Sequence, residues 1–107
     1  MNEPYEIFDI GDGESVTLTI LRHEKGTMTI HPAYAPEGKE VTVLRLHLKT
    51  PVRPGAMDYL DITSKKLIAK LEPRLADYER DRRAIKITKL GVAPKADFIV
   101  LELPLTP

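Results

Sequence analysis

The order in which hydrophobic periodicity changes along this chain constrains its fold more than any other feature. Three runs alternate with period two, at residues 15–21, 27–31 and 41–49. A stretch with helical spacing follows at 63–82, and two more strand-like runs close the chain at 84–90 and 98–103. In the first run Val16, Leu18 and Ile20 face one way and Thr17 and Thr19 the other. In the second, Thr27-Met28-Thr29-Ile30 alternates and stops at His31-Pro32. His23-Glu24-Lys25-Gly26 between them predicts a tight turn, because Gly26 tolerates positive φ, so the first two runs read as a hairpin. The third run puts Leu44, Leu46 and Leu48 on one face and Arg45, His47 and Lys49 on the other.

The breaks between these runs are equally legible. Residues 1–14 form an acidic lead-in that ends in the turn signal Gly11-Asp12-Gly13, with Tyr5, Ile7, Phe8 and Ile10 available to dock it on the body. Two prolines and a glycine make residues 32–38 a loop. Pro51, Pro54 and Gly55 end the third run. Asp61, Thr63 and Ser64 are candidate helix N-caps. Leu67, Ile68, Leu71, Leu75 and Tyr78 then make one apolar stripe. Pro73 lies inside that stripe, removes a donor and clashes one turn back, so the helix should kink or divide near Glu72. Residues 91–96 form a connecting loop, and the nearly continuous apolar run after it implies a strand covered on both faces or an interface. The expected organisation is a lead-in (1–14), one domain (15–103) and a short tail (104–107).

Three strands, a helix and two strands are the element order of a mainly β, five-stranded OB-like barrel with a helix between strands 3 and 4. At 107 residues only one such domain fits. The chain has no cysteine, which removes disulfides, thiolate metal sites and cysteine nucleophiles. It also has no tryptophan, no glutamine and a single asparagine, Asn2, against 30% charged residues, the pattern of a thermophile. No apolar run approaches the ~18 residues of a membrane span, and the first residues lack signal-peptide character, so the expectation is a cytoplasmic protein without membrane contact.

The net charge of zero hides a segregation. Residues 1–20 carry five acids and no base, whereas 22–95 carry all sixteen Lys and Arg against nine acids, a surplus of seven. A basic body of this kind attracts phosphate, although the same bases also suit an ordinary solvated surface. Catalytic motifs are missing. Ser15 and Ser64 sit in no nucleophile elbow, and Gly11-Asp12-Gly13 is too short for a phosphate loop. His23, His31 and His47 lack metal-ligand spacing. A non-enzymatic protein with no cofactor and no metal is expected.

Residues 59–71 (Tyr59-Leu-Asp-Ile-Thr-Ser-Lys-Lys-Leu-Ile-Ala-Lys-Leu), with residues 84–98 (Ala84-Ile-Lys-Ile-Thr-Lys-Leu-Gly-Val-Ala-Pro-Lys-Ala-Asp-Phe), resemble the second half of small OB-fold single-stranded DNA-binding proteins of phages, viruses and archaea. The resemblance implies a single-strand binder of replication, repair or recombination. It departs from the family in one respect, since the acids here lead the chain and the end is Leu103-Pro-Leu-Thr-Pro rather than an acidic tail.

On an OB barrel the ligand groove lies over the central strands and the loops joining strands 1 to 2 and 4 to 5. That geometry nominates Arg45, His47, Lys49 and Arg53, then Arg22 and Lys25 by the first loop and Lys86, Lys89 and Lys95 by the second. Tyr34 and Tyr59 are the expected base-stacking platforms, with Phe98 a third. The expected function is sequence-independent binding of single-stranded nucleic acid, and the lead-in competes for the empty groove. The apolar last strand suggests a homo-oligomer, a dimer first. It also supports the alternative of a protein–protein adaptor or assembly subunit.

Overall fold

A computed structural model describes residues 4–92 and 95–104. The ends of the lead-in and of the apolar tail, residues 1–3 and 105–107, lie outside the described residues, as do Ala93 and Pro94 of the last loop. The strands are β1 (Ser15–Ile30), β2 (Lys39–Leu48), β3 (Tyr59–Ile62), β4 (Ala84–Leu90) and β5 (Asp97–Glu102). Between β3 and β4 run α1 (Lys65–Leu71), a 3₁₀ turn (Glu72–Arg74) and α2 (Leu75–Asp81). All strand pairs are antiparallel, in the order β3-β2-β1-β4-β5.

The strand count matches the expectation, but two of the five strands differ from it. The expected hairpin does not form. β1 is one strand of 16 residues, and Gly26 sits within it opposite Val43. Its first part pairs with β4, from Ser15 opposite Thr88 to Thr19 opposite Ala84, and from Ile20 onward it pairs with β2. A register shift between Ile20 and Arg22 separates the two parts. Tertiary pairing explains the continuity. His23 and Lys25 lie opposite the core residues Leu46 and Leu44, and their polar ends reach carboxylates on the helix: His23 Nδ1 is 3.0 Å from Glu79 and Lys25 Nζ 3.0 Å from Glu72. A sequence that reads locally as a turn is thereby held extended. Arg22 and Lys25, expected by the first loop, are mid-strand, and the real β1–β2 loop is 31–38.

The second difference is β3, which sequence periodicity does not reveal. All four of its residues are buried, so there is no alternation to read. Asp61, a candidate helix cap, is central in this strand and fully buried. The cap is Ser64, whose hydroxyl accepts from the Leu67 N–H at 3.3 Å. The helix divides at Pro73 as expected, through the 3₁₀ turn. Its stripe of Leu67, Ile68, Leu71, Leu75 and Tyr78 is entirely buried against Leu44, Leu46, Ile62, Ile85 and Ile87 of the sheet.

β3 and β5 are the two edges of the sheet, and strand pairing does not close it into a ring. The lead-in occupies the free edge of β3: Phe8 N–H donates to Asp61 O and Asp61 N–H to Glu6 O, both at 2.8 Å. Phe8 then meets Phe98 of β5, ring centroids 6.2 Å apart. A seam between the two edge strands is thus bridged by side chains rather than by a ladder. No helix among the described residues is long and apolar enough to cross a membrane.

Candidate functional site

The face nominated from the sequence is not an open groove. Alternation is correct as far as it goes: Arg45 and His47 lie opposite the leucine face of β2. Arg45, however, is fully buried, as is Asp61 directly opposite it on β3. Arg45 Nε donates to Asp61 Oδ1 at 2.7 Å and Nη2 to Oδ2 at 3.0 Å, a two-point pair. The Tyr59 ring lies 4.3 Å from the guanidinium carbon and the Tyr5 ring 5.8 Å from it. Pro4 O accepts from both Arg45 Nη2 and Tyr59 Oη. Arg45 and Tyr59 are therefore interior residues, and the nomination of both as surface contacts is corrected. The reason is that β3 supplies a carboxylate in register while the lead-in lies across the face.

Most other nominated cations, on either face of the sheet, hold carboxylates. His47 Nε2 is 2.6 Å from Glu24 Oε2, and Arg22 approaches the same carboxylate at 3.9 Å. The hydrogen bond from His47 and the nearby positive charges hold the Glu24 carboxyl below its usual value. Lys25 is held by Glu72, and Arg53 approaches Glu6 at 3.9 Å. At the far end of the helix Arg74 and Arg83 share Glu102, and Arg80 is held by Asp77 and Asp81. Tyr34 stands out from the 31–38 loop, 74% exposed, with Lys39 Nζ 5.4 Å from its ring centroid. Lys49, Lys86 and Lys95 are exposed and lie on separate elements, so the eleven nominated residues do not assemble into one trough.

What the fold does bring together is a cationic pocket in the seam. Its cavity of about 380 Å³ has Phe8, Ile62 and Phe98 as an apolar floor and Lys65, Lys66 and Lys89 around it. Thr63, Ser64 and Ala96 complete the wall. Among the described residues none of these three lysines forms an ion pair. Asp97, whose carboxylate also feels the Lys66 charge, is engaged by the Phe98 N–H at 2.8 Å and by Lys70 at 3.0 Å. Those contacts, the backbone bond first, keep its carboxyl below the ordinary range. Lys70 also donates to Phe98 O, which ties α1 to β5 and fixes the pocket wall. Lys89 borders a second cavity of about 530 Å³ that also touches Arg53, but Asp9 and Glu14 line that one.

Of the pocket's residues, the sequence points to Lys89 and, as a third platform, to Phe98; Phe98 is buried like Tyr59, so only its edge reaches the cavity. Lys65, Lys66 and Phe8 were missed. The available signal was the pair of lysines immediately after the cap Ser64, which places both at the start of α1 where that helix leaves the seam. Among the described residues no three His, Asp or Glu side chains cluster in a way that holds a metal ion. Compared with family models, curated proteins and solved structures, the chain matches none.

Proposed function

We propose that this protein binds single-stranded nucleic acid without catalysis, and that the strand crosses the seam at Lys65, Lys66 and Lys89 rather than the face of β2. The observation that carries this reading is the convergence of three lysines, free of ion pairs among the described residues, on one concave surface with an aromatic floor. Cations not closed into ion pairs attract an anionic ligand, and an apolar lining favours one with flat, poorly hydrated surfaces. A polynucleotide strand has both properties. The strand order supports an OB-like reading of the fold, since a ring would result if β3 met β5 directly.

The test is fluorescence anisotropy of a labelled oligo-dT across a salt series. Binding of about micromolar affinity is expected at low salt and should weaken as salt rises, because each neutralised phosphate releases counterions. Flat anisotropy at low salt rejects the reading. A second reading rests on a different observation. Ile99 and Leu101 of the edge strand β5 are 41% and 53% exposed, on the face opposite the buried Phe98. That surface favours assembly, and a salt-resistant oligomer indifferent to oligonucleotide would support it over nucleic-acid binding.

A further inference from the structure

We infer that the seam cavity is a nucleobase subsite: it admits one base of the strand against the half-buried Phe8 while Lys65 and Lys66 take the flanking phosphates. This rests on the nucleic-acid reading and adds to it a specific place where base, rather than backbone, is recognised. The cavity volume of about 380 Å³ lies at the lower end of ordinary ligand pockets and is ample for one base.

The chemistry of the wall favours a base over a purely ionic ligand. The apolar lining is the half-buried Phe8 ring, backed by the buried Phe98 and Ile62, and offers apolar contact but no hydrogen bond. A bare phosphate would gain nothing from it. The polar part of the lining is Thr63, Ser64, Lys65 and Lys66 from the start of α1 and Lys89 from β4. The cavity thus combines apolar contact for a base with cations for its phosphates and has no acid in its lining. The neighbouring cavity differs: Asp9 and Glu14 share it with Arg53 and Lys89 and repel a phosphate.

The discriminating ligand is a strand with the same charge and no bases. Wild-type protein is titrated with labelled dT decamer and with a decamer of abasic tetrahydrofuran phosphates. Stacking of a single base predicts about tenfold tighter binding of the dT strand. A second protein, Phe8→Leu, removes the half-buried ring of the cavity wall without altering a charge. Its ratio of dT to abasic affinity should fall towards one, and its thermal melt checks that it is folded. Equal, salt-sensitive binding of both strands by wild-type protein overturns the subsite and leaves the nucleic-acid reading intact. A dT preference that survives undiminished in folded Phe8→Leu overturns the placement of the base. Absence of binding to either strand at low salt overturns both.

Discussion

Arg45 on β2 and Asp61 on β3 face each other in register and close a two-point ion pair, 2.7 Å at its shorter contact, with neither side chain exposed to solvent. A buried pair of this kind is held by geometry, since the desolvation of both charges consumes much of their attraction. Asp61 serves three partners at once. Its carboxylate takes Arg45 and the Glu6 N–H, and its backbone pairs with Glu6 and Phe8 of the lead-in. The same residue therefore anchors the sheet edge, the buried cation and the segment that covers both.

Removing only the carboxylate should accordingly be severe. Asp61→Ala removes the carboxylate that holds two of the buried guanidinium nitrogens, and the expected loss is about 3–5 kcal/mol in urea unfolding. The double change Arg45→Met with Asp61→Leu removes both charges and should cost clearly less than Asp61→Ala alone. Equal losses would show that Arg45 finds another partner.

A second stability prediction concerns the end of α2. Arg82 caps it with φ of 52°, the only non-glycine residue at positive φ among those described, while its N–H closes the last turn on Tyr78 O at 3.0 Å. Left-handed backbone at a non-glycine residue costs about 1–3 kcal/mol, and glycine removes that cost while adding roughly 0.5–1 kcal/mol of unfolded-state entropy. Arg82→Gly should stabilise the protein by about 1 kcal/mol, seen as a rise of several degrees in Tm. A fall in Tm would mean that the Arg82 side chain contributes more than the backbone strain.

How much of this was legible in the sequence depends on where each element finds its partners. β4 matches its expected span because Ile85 and Ile87 face the core while Lys86 is exposed, a pattern written within the segment. The helix and its break at Pro73 are local for the same reason. β1 was misread because residues 22–26 are polar on both faces, and what holds them extended lies far along the chain, on β2 and at Glu72 and Glu79. β3 was missed because a strand buried on both faces loses its alternation. For Arg45 the period of two gave the correct face but could not say that Asp61 and the lead-in cover it. The seam pocket was half visible for a similar reason: Phe8 and Phe98 are ninety residues apart and only the edge pairing of Glu6 and Phe8 with β3 brings them together.

Acid should weaken one contact in a predictable direction. The Glu24 carboxyl is held below its usual value, first by the hydrogen bond from His47. A depressed folded-state pKa contributes stability above the unfolded-state value, and that contribution disappears as pH falls through the folded-state value. Glu24→Gln should therefore lower Tm slightly at neutral pH and leave it unchanged once the pH is below the depressed Glu24 value. The pair is exposed and screened, so the difference should also shrink in high salt. Paired thermal melts of the two proteins from neutral to strongly acidic pH check this. A Tm gap that persists in acid would assign the effect to packing rather than charge.

Salt offers the sharpest measure of how many seam lysines meet the strand. If Lys65, Lys66 and Lys89 each neutralise one phosphate, log affinity should fall against log salt with a slope of roughly −2, since single strands release about 0.7 counterion per contact. Each Lys→Ala change should make that slope shallower by a little under one and weaken binding at low salt. Lys86→Ala, on the outward face of β4, keeps the same net charge as any one of these variants and should leave the slope unchanged. The comparison separates a located contact from general attraction to a positive surface. Equal slopes for Lys86→Ala and Lys66→Ala would move the strand off the seam.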